Sequence, residues 1–412
     1  MLKVLNENYY IDLDAIEQYI NITSLTGGPE THINVVKYEV IKTMLEVVMT
    51  EDEEVDEALG QRSTGLTIPF KLAFNKNSSS LDSLNFTTVV PISKSKYPID
   101  YQSKIVSFGS CFAENMASKF DYYKFQNSCN PFGILFHPIA IENIISRAIN
   151  LELFQEKELF FNNERWHNFE VHSDLSNPDK VDLLNEINHL LVTTNKKIKE
   201  ASHIIITYGT SWVYRNKETN KVVANCHKVP QNNFEKELLS VSDMDKSIQN
   251  TINLIEKENP NCNLIFTISP VRHLKDGFQE NQRSKANLIV ALHSTFDIRN
   301  STKRYFPSYE IMMDDLRDYR FYKEDLIHPN TTAETYIWNK FIDSFCPDKT
   351  KTLLHKWDKV NKAIQHKPFF PESDGYLQHV VDTISKLAEL NSEMDVNEEI
   401  EHLQHVLQNN QV

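Results

Sequence analysis

Residues 104 to 116 read Lys104-Ile105-Val106-Ser107-Phe108-Gly109-Ser110-Cys111-Phe112-Ala113-Glu114-Asn115-Met116, and this stretch decides the fold. A short apolar run with β-branched side chains is cut off by Gly109. Two small nucleophilic residues follow, Ser110 and Cys111, and then a helical pattern. The order predicts a strand, a tight turn and a helix leaving it. Such a turn lifts a Ser or Cys out of a sheet to a helix N-terminus. The partial positive charge there stabilises a thiolate or a developing oxyanion. Alone, the turn is an ordinary strand-to-helix junction. Chemistry at it requires a base and an oxyanion site from elsewhere in the chain.

Around this stretch the pattern is α/β. Strands are expected at 105–108, 204–207 and 264–268, and helices at 112–125, 138–149, 183–201, 243–258 and 284–294. Short apolar strands separated by longer amphipathic helices imply right-handed βαβ units and a parallel sheet covered on both faces. In such a sheet the site forms at the carboxyl ends of the strands. The three segments Gly109-Ser110-Cys111, Gly209-Thr210-Ser211 and Ser269-Pro270-Val271-Arg272-His273 follow the three strands and should converge on one rim.

The flanks differ. Residues 1–75 hold 13 Asp/Glu against 5 Lys/Arg and suggest a small acidic helical module, with helices at 12–20, 35–49 and 68–74. Residues 76–84 form a Ser-rich linker. The α/β domain is assigned to 85–346. A helical C-terminal extension occupies 347–412, with an apolar stripe of Leu377, Val380, Val381, Ile384, Leu387 and Leu390. Both flanks leave room for a partner protein or for self-association.

Composition narrows the function. With 412 residues, 40% of them hydrophobic, the chain can build a sizeable core. A net charge of -14 argues against nucleic acid as the main partner. Five Cys, an odd number scattered at 111, 129, 226, 262 and 346, fit a reducing compartment rather than a disulfide framework. No signal-peptide core follows Met1, and no run of 18 apolar residues suggests a membrane span. These features predict a soluble, cytoplasmic chain. No cofactor is expected: Gly-x-Gly-x-x-Gly and P-loop patterns are missing among 9 Gly. No metal is expected either, because Cys226-His227 lacks a second pair at zinc spacing and His167 and His172 are poorly spaced for one helix face.

The second motif is Glu324-Asp325-Leu326-Ile327-His328-Pro329-Asn330. Asp-x-x-His sets a carboxylate beside an imidazole, close enough to fix its tautomer and stabilise an imidazolium. A surface Asp-His pair is the plainer alternative.

Together these segments resemble the SGNH (GDSL-like) hydrolase superfamily, and Gly109-Ser110-Cys111-Phe112-Ala113 spells the signature of its GSCFA domain family. Asn130-Pro131-Phe132-Gly133, Thr207-Tyr208-Gly209-Thr210, Asn225-Cys226-His227-Lys228-Val229-Pro230 and Ser269-Pro270-Val271-Arg272-His273 are similar to the same family, over roughly 86–345. The resemblance implies a three-layer, flavodoxin-like α/β/α domain with esterase-type chemistry. By position, Cys111 inherits the nucleophile's role, with Ser110 as second choice, His328 as base and Asp325 orienting it. It also implies an oxyanion site from the Cys111 and Gly133 amides plus a side-chain donor. The superfamily's Asn is missing from Gly209-Thr210-Ser211, so Asn225 or Thr210 would assist. Arg272 and His273 would bind a polar or acidic group of the acyl acceptor, or simply cap Asp276. Trp166 and His167 would line a sugar site, with ordinary packing as the alternative. The expectation is therefore an acyl-ester hydrolase or acyltransferase for a small acyl group, such as acetyl on a glycan or other small molecule. The alternative is a non-catalytic binding or scaffold protein on the same fold.

Overall fold

The computed structural model describes residues 2–5, 8–11, 88–297 and 304–409. It divides into two units, Met1–Thr88 and Val89–Val412. In the first, β1 (Leu2–Leu5) and β2 (Asn8–Ile11) pair antiparallel, with Leu2 opposite Ile11. This pair departs from the all-helical expectation. Val4, Tyr9, Tyr10 and Ile11 are residue types that favour strands. The expected helices at 12–20, 35–49 and 68–74 and the linker at 76–84 lie outside the described residues.

The second unit begins its sheet with β3 (Lys104–Gly109). Val106 and Phe108 join the core on one face and Ile105 the core on the other, as strand alternation requires. Gly109 ends the strand at φ +148, where a Cβ would lie 2.3 Å from the Thr207 carbonyl oxygen. Only glycine lets the two strands close together here. Helix α1 (Cys111–Tyr122) leaves at once, with Ser110 at its N-cap position. Then come β4 (Gln126–Cys129) and α2 (Pro138–Asn150), whose N-cap His137 accepts the Ala140 amide. A hairpin of β5 (Leu159–Asn162) and β6 (Arg165–Asn168) precedes α3 (Lys180–Glu200). Every residue of β7 (His203–Tyr208) is buried. A small antiparallel sheet of β8 (Trp212–Asn216), β9 (Val222–Val223) and β10 (Phe234–Leu238) leads to α4 (Val241–Glu258), capped by Ser240. The chain continues through β11 (Asn263–Ile268), α5 (Phe278–Asp297), β12 (Arg304–Phe306) and α6 (Thr331–Phe345).

The main sheet has five parallel strands in the order β4-β3-β7-β11-β12. Counted along the chain this is 2-1-3-4-5, the flavodoxin-like order. Helices α2, α3, α4 and α5 cover one face through Ile141, Ile187 and Leu191, Ile248 and Leu288. Helices α1 and α6 cover the other through Phe112, Phe120, Ile337 and Phe341. The second unit thus has the expected α/β/α arrangement. Helices α7 (Asp348–Ile364), α8 (Asp374–Leu390) and α9 (Asn397–Asn409) follow, and Trp357, Val380, Leu387 and Leu403 extend the same core. Val381 of the expected stripe stays exposed. The order reverses between β3 and β7, and that switch point sets Ser110, just before the start of α1, beside Gly209.

Candidate active site

Ser110 is fully buried at the N-cap of α1, yet its hydroxyl caps no amide and has no hydrogen-bond partner. Its own amide donates to the Thr207 carbonyl at 3.2 Å. Cys111, the first residue of the helix, is half-buried and carries a free thiol. Burial pushes that thiol above its ordinary value, and Glu114 one turn on adds to the rise. The amide of Phe112, the charge of Lys285 and the amide of Cys111 oppose it. The helix N-terminus therefore does not win, and the resting group is a thiol that needs a base.

Beneath these residues lies Lys285 of α5, completely buried. Its Nζ donates to the Gly209 carbonyl at 2.8 Å and to the Ser269 carbonyl at 2.6 Å, at the ends of β7 and β11. Burial lowers its pKa to about 7, against the pull of Cys111 and Glu310. His273, also beyond β11, donates its amide to Asn281 Oδ1 at 2.9 Å and stands edge-on to Phe136. Burial first, then the charges of Lys285 and His328, lower its pKa to about 3. Its ring is neutral, and its buried Nε2 has no partner.

The second motif forms a compact loop. Asp325 Oδ1 accepts the amides of Ile327 at 2.8 Å and His328 at 2.9 Å, while Oδ2 meets His328 Nδ1 at 2.7 Å. The His328 amide, the Ile327 amide and the ring bond together hold this carboxyl at about 2. An ionised carboxylate only accepts, so Nδ1 carries the proton and Nε2 keeps its lone pair. Arg272 braces the loop by donating to the Leu326 carbonyl at 2.8 Å, with its guanidinium 4.1 Å from the Tyr322 ring centre. Glu334 of α6 accepts from Asn115 of α1 at 2.8 Å and lies 3.5 Å from Lys323, whose amide bonds the His328 carbonyl. The loop that carries His328 is thereby fastened one helical turn from Cys111. Among the described residues no hydrogen bond joins His328 to Cys111 directly.

A cavity of about 620 Å³ opens alongside. Trp212 and Tyr214, alternate residues of β8, form an aromatic wall, and Phe136, Thr210 and His273 bound it toward the strand ends. Lys236 lies 4.9 Å over the Trp212 ring and pairs with Asp276. Among the described residues no group of three or more His, Cys, Asp or Glu side chains could hold a metal ion, and no helix is long and apolar enough to cross a membrane.

The model of the GSCFA family matches residues 104–341, which include every group described above. The chain belongs to the GSCFA family. The model described as the C-terminal domain of the GSCFA domain protein matches residues 357–409. No curated protein matches the sequence. Among solved structures, the acetyl xylan esterase Est2A from the rumen bacterium Butyrivibrio proteoclasticus is similar at 10% identity, with a TM-score of 0.31 over 62% of this chain and 64% of the esterase. The chain thus spans about 64% of that protein's length, and a likeness at this score carries no argument here.

In this GSCFA chain several expected site residues are engaged elsewhere. The Gly133 amide donates to the Asn130 carbonyl at 2.8 Å, closing its turn. The Gly209 and Thr210 amides both donate to the Phe136 carbonyl, at 2.7 and 3.1 Å. Thr210 Oγ1 bonds Ser284 Oγ and accepts the Trp212 amide. Buried amides in tight turns must find acceptors, and these have found them within the fold. Asn225 lines the cavity, with its Oδ1 accepting the His227 amide at 2.8 Å. Trp166 and His167 are not in the cavity wall. Trp166 lies beside Phe161 and under Lys180, and the His167 ring is satisfied by Ser176 Oγ at 2.6 Å and the Asn162 carbonyl at 2.8 Å. They secure the β5–β6 hairpin. Arg272 holds the His328 loop, and neither it nor His273 caps Asp276.

Two features escaped the sequence reading. The Trp212-x-Tyr214 alternation after Gly209-Thr210 was available as a signal for an aromatic wall. Lys285 gave a fainter one: a lysine in the apolar row that it shares with Leu288 and Leu292.

Proposed function

We propose that this chain is an acyl-ester hydrolase or acyltransferase on an SGNH-like domain, with Cys111 as nucleophile, His328 as base and Asp325 orienting the base. The observation that carries the reading is the Asp325–His328 pair, held at 2.7 Å by a carboxylate that two amides also clamp, on a loop fastened to the helix that Cys111 begins. Cys111 Sγ attacks the acyl carbonyl carbon as its proton passes to His328 Nε2, and the π electrons move to oxygen. Collapse breaks the ester C–O bond, and the leaving oxygen takes the proton from His328. Water or an acceptor hydroxyl, deprotonated by the same imidazole, then opens the thioester. Asp325 stabilises the imidazolium meanwhile. The raised thiol makes the base necessary rather than optional. Catalytic hydrogen bonds commonly tighten only when substrate binds, so a bond not yet made between Cys111 and His328 is compatible with this role. The aromatic wall of Trp212 and Tyr214 suits the face of a sugar ring, which favours a small acyl group such as acetyl on a glycan.

The test is incubation with p-nitrophenyl acetate followed by peptide mass spectrometry. Acetyl on Cys111, abolished in Cys111→Ala and slowed in His328→Ala, is expected. Acetyl on Ser110, abolished in Ser110→Ala, would move the nucleophile by one residue. Acetyl on neither refutes the enzyme. That outcome leaves a non-catalytic binding or scaffold protein on the same fold, a reading favoured by the engaged Gly133 and Gly209 amides.

A further inference from the structure

Acyl transfer needs hydrogen-bond donors where the carbonyl oxygen gains charge. The amides of Gly133, Gly209 and Thr210 are engaged within the fold. Buried polar atoms left without partners are uncommon in folded proteins, and each calls for an occupant or a function. Two of them belong to residues that flank Gly209 at the switch point: Ser110 Oγ and His273 Nε2. Both border the face of Gly209 that has no side chain. A Cβ there would lie 3.3 Å from Ser110 Cβ and 3.2 Å from His273 Nε2. Ser110 immediately precedes Cys111, so its hydroxyl is one residue from the attacking sulfur. His273 is neutral, and in its Nε2–H tautomer it offers a donor without a charge of its own. Lys285 lies behind, bonded to the Gly209 carbonyl, and its charge reaches both Cys111 and His273. Phe136 and His273, which flank Gly209, also line the large cavity, so a substrate held there approaches this point.

We propose that Ser110 and His273 are the oxyanion site of this protein: the acyl carbonyl oxygen docks between Ser110 Oγ–H and His273 Nε2–H over Gly209, while Cys111 attacks the carbon. The inference rests on the acyl-transfer reading above. It makes Ser110 a donor to the substrate rather than the nucleophile, and His273 a neutral electrophile rather than a binder of anionic groups. Gly209 is then required because a Cβ there would crowd His273 Nε2 at 3.2 Å and Phe136 and Ser110 at 3.3 Å, displacing the groups that are to receive the oxygen.

The experiment compares two reactions of one thiol. Acetylation by p-nitrophenyl acetate places negative charge on a carbonyl oxygen, whereas alkylation by iodoacetamide displaces iodide at a saturated carbon and does not. Both are followed at Cys111 by peptide mass spectrometry in the wild-type chain and in Ser110→Ala, His273→Ala and His273→Gln. Each alanine variant is expected to slow acetylation by about 10²–10³-fold, the usual cost of losing one oxyanion donor, while alkylation stays within about threefold. His273→Gln, which keeps an N–H near the same place, should recover part of the loss. Wild-type acetylation with both alanine variants within threefold of it overturns the oxyanion site alone. Equal losses in acetylation and alkylation also overturn it, since they report a disturbed helix start. Acetyl found on Ser110 overturns it by making Ser110 the nucleophile and His273 its base. A wild-type chain alkylated at Cys111 but never acetylated removes the acyl-transfer reading, and the oxyanion site with it.

Discussion

Replacing Lys285 by Met tests the charge beneath the switch point. The ammonium is completely buried, its hydrogen bonds run to two backbone carbonyls, and Glu310 acts on it only at a distance. Its pKa falls from 10.5 to about 7, chiefly through burial. At about 1.4 kcal/mol per pH unit, a fall of about 3.5 corresponds to roughly 5 kcal/mol for keeping the charge inside at neutral pH. The unfolded chain holds the proton up to about 10.5 and the folded chain only up to about 7. Between those values the unfolded state binds more protons, so stability rises with pH across that window and is lowest below it. The methionine of the variant would not titrate. It would instead leave the Gly209 and Ser269 carbonyls without their donor, at about 1–3 kcal/mol each. Near neutral pH the relief and the loss are of similar size, so the variant should fold with stability close to the wild type.

The pH dependence separates the two contributions. Groups common to both chains cancel in the difference between them. From about pH 7.5 to about pH 9.5 the wild type should gain about 2.5 kcal/mol on the variant, by the same linkage. Urea unfolding of both chains at three pH values, followed by tryptophan fluorescence, measures it. A difference that stays flat within about 0.5 kcal/mol over that range, where about 2.5 is expected, refutes the reasoning. Lys285 would then be ordinarily solvated, and its role under Gly209 would fall.

Three other outcomes follow from single contacts. Glu114→Gln removes a negative neighbour of Cys111, so the pH profile of iodoacetamide alkylation should move to lower pH, though burial keeps it above an ordinary thiol; a profile that does not move removes Glu114 from the account. Asp325→Asn leaves an acceptor for the two amides but no negative charge for His328, and acetylation of Cys111 should drop by about 10²–10⁴-fold; a drop under threefold would count against the proposed role of the loop. Arg147 is buried against Glu158 and against Glu170 at 2.6 Å, with its guanidinium 4.4 Å from the Phe154 ring centre, so Arg147→Met strands two partly buried carboxylates. A loss of about 3–5 kcal/mol by urea unfolding is expected, with Arg147→Lys recovering only part of it.

The legible parts of the fold are those whose signal is local. β3, β7 and β11 are covered on both faces, so they read as short, largely apolar runs rather than as alternating ones. The edge strands are β4, with sequence Gln-Asn-Ser-Cys, and β12, with Arg-Tyr-Phe. One is polar and the other three residues long, which is how natural sheets blunt their edges, and neither carries a strand pattern. Asp325 and His328 touch within a single turn, so spacing alone was enough to pair them. The hairpin aromatics Trp166 and His167 misled because residue type says what a side chain can bind, not which way it faces. Trp212 and Tyr214 have the same chemistry and the right orientation.

The backbone donors were less legible. Whether an N–H is free depends on which carbonyl reaches it: the Asn130 carbonyl closes a turn on the expected Gly133 donor, and Phe136, far away in sequence, takes the amides of Gly209 and Thr210. Lys285 is the same problem in reverse. Its acceptors are carbonyls 76 and 16 residues away, and a carbonyl has no side-chain signature to pair with a lysine. Yet the need for such a donor follows from the topology. At the carboxyl edge of a parallel sheet the last carbonyls of β7 and β11 have no further strand to pair with, and buried acceptors must be met. A lysine from the helix that follows β11 meets both at once, and in doing so sets a positive charge under the turn that carries Ser110 and Cys111. The atom that satisfies the sheet edge is therefore also a charge that reaches the turn, which is why substituting it should alter the pH dependence of stability and the reactivity of the thiol together.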